Sequence, residues 1–442
     1  MPAGPTAVFD RPYVISWNLT YRCNLVCDHC YLDAGARPRV ESEAFADRSE
    51  MTTRECFGVI DDIAAFGPES IVILTGGEPL LRRDILEIIE YAHGRGLWVV
   101  VGTNGVKVTP TLAELLRDKG VRGLALSLDA LDPEAHDRFR QVKGAWRNTV
   151  EGAAILDRAG LPFIVQTTVG KHNLDELPEI AAFACDRLNA RVWNLYFLVP
   201  TGRGQFVSDM EPAAYDQVLD QLHAIQQRYA GRMLVNAKCA PHYIRTIFSK
   251  DPESPFLKSF SGGAGGCPAG THYMGIRPNG DVTPCPYLPQ FGGNLRQQTL
   301  RAIWDGSDLF VKIRGRAALG DRCGACEFNS TCGGCRARAY GATGDVMAED
   351  PLCTHQPGTF PQARLLTIAR GEYGQAPVES LVWEDAARER MMQIPAFVRG
   401  MVTRAVESHC RANGVPVVTP QVLETIRARM PTPRLFGSRP RG

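Results

Sequence analysis

Short apolar runs with alternating or β-branched character recur through the first half of the chain, starting near Tyr13, Ile71, Leu97, Gly123, Phe163 and Arg191. Between them, at 52–66, 83–93, 111–119, 146–159 and 177–188, apolar residues return every three or four positions. The first period predicts strands and the second predicts helices that cover one face of a sheet. Their regular alternation predicts an α/β fold with a parallel sheet, a partial (β/α)6 barrel over 10–205. The polar stretch 32–51 predicts a loop or short helix, and 206–265 predicts a connecting helical region. Helical spacing returns over 380–432, where Val382, Ala386, Met392 and Phe397 are expected to form one packed face of a small C-terminal helical domain. A linker over 371–379, with Gly374 and Pro377, precedes it, and the proline- and arginine-rich end at 433–442 is expected to be a disordered tail.

Composition narrows the class only a little. At 442 residues and 44% hydrophobic, the chain suits two or three globular domains. A net charge of +1 implies no broad attraction to nucleic acid. No run of eighteen apolar residues and no basic-then-apolar N-terminus occurs, so neither a membrane span nor a signal peptide is expected, and a cytoplasmic location is. In a reducing compartment, 14 cysteines favour metal ligation over disulfides.

Cysteine spacing carries the chemistry. Cys23, Cys27 and Cys30 are separated by three and then two residues, which supplies three thiolates to a four-iron cubane and leaves one iron open. A structural zinc site wants four ligands, usually as two pairs, and His29 would have to strain a loop to be the fourth. A second field holds Cys267, Gly280 with Cys285 five positions on, then Cys323, Cys326, Cys332, Cys335 and Cys353. The gap between its two pairs is short for a zinc ribbon. Cys56, Cys185 and Cys410 fall inside helical patterns and are expected to be small core residues.

The first motif, with Thr75-Gly76-Gly77-Glu78-Pro79 after the second apolar run, resembles the radical S-adenosylmethionine (SAM) superfamily. The resemblance implies a [4Fe-4S] cluster on Cys23, Cys27 and Cys30 that binds SAM and cleaves it to a 5′-deoxyadenosyl radical. It further implies that Gly76, Gly77 and Glu78 hold the methionine amine and that Thr103, Asn104, Ser127 and Asp129 lie near the ribose and carboxylate. The second field resembles the SPASM extension over 266–360, which binds one or two auxiliary iron–sulfur clusters. By that match Cys323, Cys326, Cys332 and Cys353 serve an outer cluster and Cys267, Cys285 and Cys335 an inner one. Two residues separate Cys332 from Cys335 where many members have three, and the missing inner ligand is either Cys239 or absent.

Val199-Pro200-Thr201-Gly202-Arg203-Gly204, the block Cys239-Ala240-Pro241-His242 and the run from Cys332 to Ala339 resemble the heme-maturation branch. The segment 383–430 resembles the small helical domain of light-independent protochlorophyllide reductase. Together they imply a tetrapyrrole substrate, altered at a propionate or acetate by oxidative decarboxylation or side-chain removal, with electrons from a low-potential flavodoxin or ferredoxin. Arg203, Arg245 and Arg277 are candidates to hold its carboxylates. His242 and His272 are candidate axial ligands, with buried loop histidines as the plainer reading. A PqqE- or mycofactocin-type peptide maturase is the alternative, although about ten residues precede the first strand, few for the leader-binding domain such enzymes carry. A non-catalytic carrier is a third reading, disfavoured by the Gly76-Gly77-Glu78 turn.

Overall fold

The computed structural model describes residues 10–67, 69–207, 210–254, 257, 266–366 and 377–428. The expected tail at 433–442 and most of the expected linker lie outside them. Six parallel strands follow the predicted pattern: β1 (Val14–Asn18), β2 (Ile71–Thr75), β3 (Trp98–Thr103), β4 (Gly123–Ser127), β5 (Phe163–Val169) and β6 (Val192–Phe197). The helices Thr53–Phe66, Ile85–Gly94, Pro110–Asp118, Ala145–Arg158 and Leu177–Ala182 lie between them. The first begins on a reciprocal cap, in which Thr52 accepts from the Glu55 amide while Glu55 accepts from Thr52.

The sheet runs past the predicted six strands at both sides. β7 (Leu234–Lys238) pairs parallel with β6, so the region expected to be wholly helical contributes a strand after its helix Pro212–Arg228. On the opposite side β8 (Tyr273–Ile276) pairs parallel with β1, and β9 (Asp281–Thr283) and β10 (Gly293–Asn294) continue antiparallel. The ten strands form one open sheet with β7 and β10 at its edges. The cysteine-rich extension is therefore built onto the barrel rather than hung beside it.

Alternation sorts the two faces. Ile15, Trp17, Val165, Leu195 and Val235 point outward beneath the helices and are sealed from solvent. Trp193, also sealed, donates its indole N–H to Thr167 at 2.9 Å. Inward positions Ser127, Gln166, Thr168, Tyr196, Asn236, Lys238 and Tyr273 are only half-buried, although they sit in the middle of the molecule. Period-two patterning has thus placed polar, partly exposed residues on the inward face of the sheet.

The C-terminal module has a core of Trp383, Ala387, Met391, Val406, Cys410 and Val418. The face expected from Val382, Ala386 and Met392 is instead exposed, and the Phe397 side chain lies outside the described residues. Both stripes carry helical spacing, and the short ladder between Val382–Trp383 and Val417–Val418 turns Trp383 inward and Val382 out. Arg399 joins the module to the barrel, meeting the Glu69 carboxylate at 2.7 and 3.0 Å.

Candidate active site and auxiliary metal centres

The first cysteine loop leaves the carboxyl end of β1 and is held by backbone on both sides. Gly77 N–H donates to Thr20 C=O at 2.8 Å and Glu78 N–H to Arg22 C=O at 2.9 Å. A Cβ on Gly76 would lie 2.7 Å from the Thr20 oxygen, and one on Gly77 would lie 2.3 Å from that of Arg22. The two glycines are needed for this close approach to the cysteine loop itself. On the far side Glu50 accepts from Thr20 Oγ1 and Tyr21 N–H, both at 2.7 Å. The 32–51 segment, with its turn at Glu43–Phe45, thereby straps the loop.

Cys23, Cys27 and Cys30 face one another closely enough to interact electrostatically. Leu25 N–H and Ala34 N–H donate to the sulfurs of Cys23 and Cys30 at 3.4 Å, and Arg140 reaches Cys27 at 3.7 Å. Burial pushes Cys23 up to about 12, with the neighbouring thiols adding to it, and pushes Cys27 up against the pull of Arg140. Such thiols ionise only against a strong positive charge, as a metal cluster provides. His29 is turned away, stacked on Phe139 with ring centroids 4.3 Å apart. Three thiols with no fourth protein donor among the described residues suit a cubane with an open iron better than a closed zinc site.

Glu78 is fully buried beside the triad and accepts only from neutral donors: Thr103 Oγ1 at 2.9 and 3.0 Å, Asn104 N–H at 2.9 Å and Leu80 N–H at 3.1 Å. Burial pushes it up to about 7, and no cation among the described residues lies beside it. An amino-acid ammonium would supply the missing charge. Asn104 also donates to Asn24 in the cysteine loop at 2.8 Å. Ser127 lies half-buried on the inward face of β4.

Asp129 has a different place. Its carboxylate is fully buried, takes Arg140 at 2.6 Å, and accepts from Thr168 N–H at 2.8 Å. Burial alone would raise it, but Arg140 and these bonds hold it near 2. It orients the arginine that touches Cys27, a link the sequence did not reveal because Arg140 lies eleven residues on.

The three arginines expected to meet substrate also separate. Arg203 is sealed at 1% exposure and bonds Cys27 C=O and Ala34 C=O at 2.8 Å and Asp33 at 2.9 Å, so its guanidinium clamps the cysteine loop. Arg245 pairs with Asp216 at 2.6 Å. Arg277 follows β8 with its guanidinium 4.9 Å from the Phe45 ring centre, near Tyr31. His242, within 2.8 Å of Tyr215 Oη, and His272, beside Thr271, are both buried loop histidines.

The second field resolves into two sets of four. Cys239, Cys267, Cys285 and Cys335 interact with one another, and Cys323, Cys326, Cys332 and Cys353 do likewise. Gly333 and Gly334 have φ of 67° and 64°, and two successive left-handed residues let Cys332 and Cys335 join different sets across a short spacer. Cys239 is itself left-handed, at φ 58°, an unfavourable state for a side-chain-bearing residue. Arg338, fully buried, braces the inner set by bonding Asp350 at 2.9 Å and Cys239 C=O at 2.8 Å, while Asp350 accepts from Cys335 N–H at 2.7 Å. Cys56, Cys185 and Cys410 are buried apart from both, as expected of core residues.

Between the first triad and the inner set stand Tyr31, Tyr196, Tyr273 and Tyr287. The Tyr31 and Tyr287 rings are 4.7 Å apart, and Tyr31 senses both Cys30 and Cys285. Burial pushes all four phenols well up, yet each keeps some open surface. They line the barrel's unfilled interior, a role their scattered positions hid.

An open parallel barrel with this triad and a second cysteine field defines a radical SAM enzyme with an auxiliary iron–sulfur domain. The profile of the Radical SAM superfamily matches residues 17–184 and that of the SPASM iron–sulfur cluster-binding domain residues 267–335. That of the proto-chlorophyllide reductase 57 kD subunit matches 383–427. An AdoMet-dependent heme synthase of Methanosarcina barkeri is 39% identical over 80% of this chain and 99% of its own. A mycofactocin maturase of Mycolicibacterium smegmatis is 30% identical over 78% of this chain and 83% of its own. The SAM-bound crystal structure of Streptococcus suis SuiB shares the fold, with a TM-score of 0.62 at 19% identity over 79% of this chain and 78% of that one. The chain belongs to the heme-maturation branch of the radical SAM/SPASM superfamily. Its cofactors are a [4Fe-4S] cluster with SAM and auxiliary iron–sulfur clusters.

Two expected outcomes follow from the clamp and the lone acid. Arg203→Ala removes buried charge-assisted bonds of about 1.5–3 kcal/mol each, and iron and sulfide analysis should show the loss of one cluster's complement. A full complement with only a raised KM would make Arg203 a substrate ligand instead. Glu78 titrates about 7 in the folded chain against 4.5 unfolded, so its contribution to stability is present below pH 4.5 and lost as pH rises through 7. Thermal melting of the cluster-loaded, SAM-free protein between pH 5 and 8 should show this fall in the wild type and a flatter profile in Glu78→Gln, with SAM reducing the difference.

Proposed function

We propose that this enzyme modifies the propionate side chains of an iron tetrapyrrole by oxidative decarboxylation. The observation that carries the reading is the tyrosine-lined interior between the SAM triad and the inner thiol set, joined to the 39% identity with a heme synthase over nearly its whole length. An enclosed aromatic space suits a flat macrocycle, and the nearby inner set suits a reaction that must give up an electron after hydrogen abstraction.

When bound, the first cluster with SAM supplies a 5′-deoxyadenosyl radical and the auxiliary clusters accept an electron. The chain's own residues do the rest. Glu78, Thr103 and Asn104 orient the amino-acid end of SAM, Ser127 borders its ribose, and the four tyrosines keep water from the reacting carbon. Arg277, at the carboxyl end of β8 beside Tyr31, holds one propionate. Cys239 completes the inner set as its fourth ligand, and Cys323, Cys326, Cys332 and Cys353 hold the outer cluster. A low-potential flavodoxin or ferredoxin delivers the reducing electron. No helix among the described residues is long and apolar enough to cross a membrane.

The test is anaerobic turnover with SAM and reductant, following 5′-deoxyadenosine and tetrapyrrole mass. Iron coproporphyrin III should stimulate cleavage and lose carbon dioxide; stimulation by a peptide alone would overturn the tetrapyrrole assignment. Cys239→Ala should leave the inner set with three thiols and diminish its spectroscopic signal while the SAM cluster's signal persists. An unchanged auxiliary signal would remove Cys239 from the ligand set.

A further inference from the structure

The inward faces of β1 to β8 carry Ser16, Asn18, Thr75, Ser127, Gln166, Thr168, Asn194, Tyr196, Asn236 and Tyr273 as their polar residues, and a single charged one, Lys238. It ends β7, directly across from Tyr196 in the strand register. Its side chain is half-buried and shares a face of β7 with Asn236, across from Asn194 and Tyr196, which places it on the inward side of the sheet near its edge. Among the described residues no carboxylate lies against it; the groups that sense its charge are Cys239 and His272. Three other buried cations are paired with carboxylates, Arg203 with Asp33, Arg140 with Asp129 and Arg338 with Asp350, and Arg316 bonds the carbonyls of Cys267 and Cys332. A lone ammonium inside a protein is costly unless an anion meets it.

We propose that Lys238 binds a carboxylate of the substrate inside the barrel, anchoring the macrocycle against Tyr196 and Tyr287. The inference rests on the tetrapyrrole reading and deepens it. Tyr196 and Tyr287 have ring centres 6.4 Å apart, so the ammonium stands beside an aromatic wall that the ligand's plane can face. Asn194 and Asn236, bonded to each other at 3.0 Å, lie on the same inward faces one pleat deeper, and they present amides rather than a competing charge. Arg277 stands on the opposite side of the sheet's centre, after β8. Lys238, with no carboxylate against it among the described residues, selects a ligand with an acidic arm.

The competing role for Lys238 is to balance the negative charge of the inner cluster through its neighbour Cys239, and the experiment separates the two. The anaerobically reconstituted full-length enzyme is titrated with iron coproporphyrin III and with its methyl ester, following the Soret band, alongside electron paramagnetic resonance of the auxiliary clusters. Wild type should bind the free acid about tenfold or more tightly than the ester, as expected for a charge-assisted hydrogen bond. Lys238→Met should weaken binding of the acid about tenfold and leave that of the ester unchanged, while Lys238→Arg keeps most of the preference. Should Lys238→Met retain the acid preference and shift only the resonance of the auxiliary clusters, the lysine serves the cluster and this inference falls alone. Should wild type bind neither porphyrin, the tetrapyrrole reading fails and the inference goes with it.

Discussion

Hydrogen bonds along both edges of β1 hold the metal-bearing parts of this chain together. One edge pairs with β2, which leads into Gly76, Gly77 and Glu78; the other pairs with β8, which opens the auxiliary domain. The strand between them ends at the first cysteine loop. Residues more than two hundred and fifty positions apart in the chain thus become neighbours, Val14 beside Tyr273 and Ser16 beside Gly275. That second pairing sets where the auxiliary domain begins relative to the first cysteine loop.

Three buried ion pairs then serve the metal loops rather than the substrate. Arg203 with Asp33, Arg140 with Asp129 and Arg338 with Asp350 each sit at or below one-tenth exposure, and each arginine also bonds the backbone or sulfur of a cysteine. Burying such pairs contributes little net stability, because desolvation offsets the attraction. Their effect is geometric: a guanidinium with several fixed donors sets the path of a loop that has no regular hydrogen bonding of its own.

Much of the fold was legible because it rests on local periodicity. The six βα units and the two cysteine fields could be read in order, and Cys56, Cys185 and Cys410 are buried as a small apolar residue inside a helix should be. The C-terminal module shows the limit of that reading. Trp383, Ala387 and Met391 fill its core, one position from the stripe through Val382, Ala386 and Met392, since both stripes satisfy helical spacing and only the strand ladder at Trp383 chooses between them. Strand β7 escaped for a related reason, as five residues after a long helix carry too little pattern to stand out.

By itself the sequence determined which thiols exist, how they are spaced and that Glu78 follows a glycine pair, because spacing along a chain is preserved through folding. It determined which strand residues share a face, for the same reason. What only the tertiary structure decided was partnership: that Cys239 stands with Cys267, Cys285 and Cys335, that Asp129 and Arg203 are engaged in loop contacts, and that no carboxylate among the described residues lies against Lys238. Each depends on groups brought together from distant positions, where charge and desolvation act through space and the order of residues carries no information about distance.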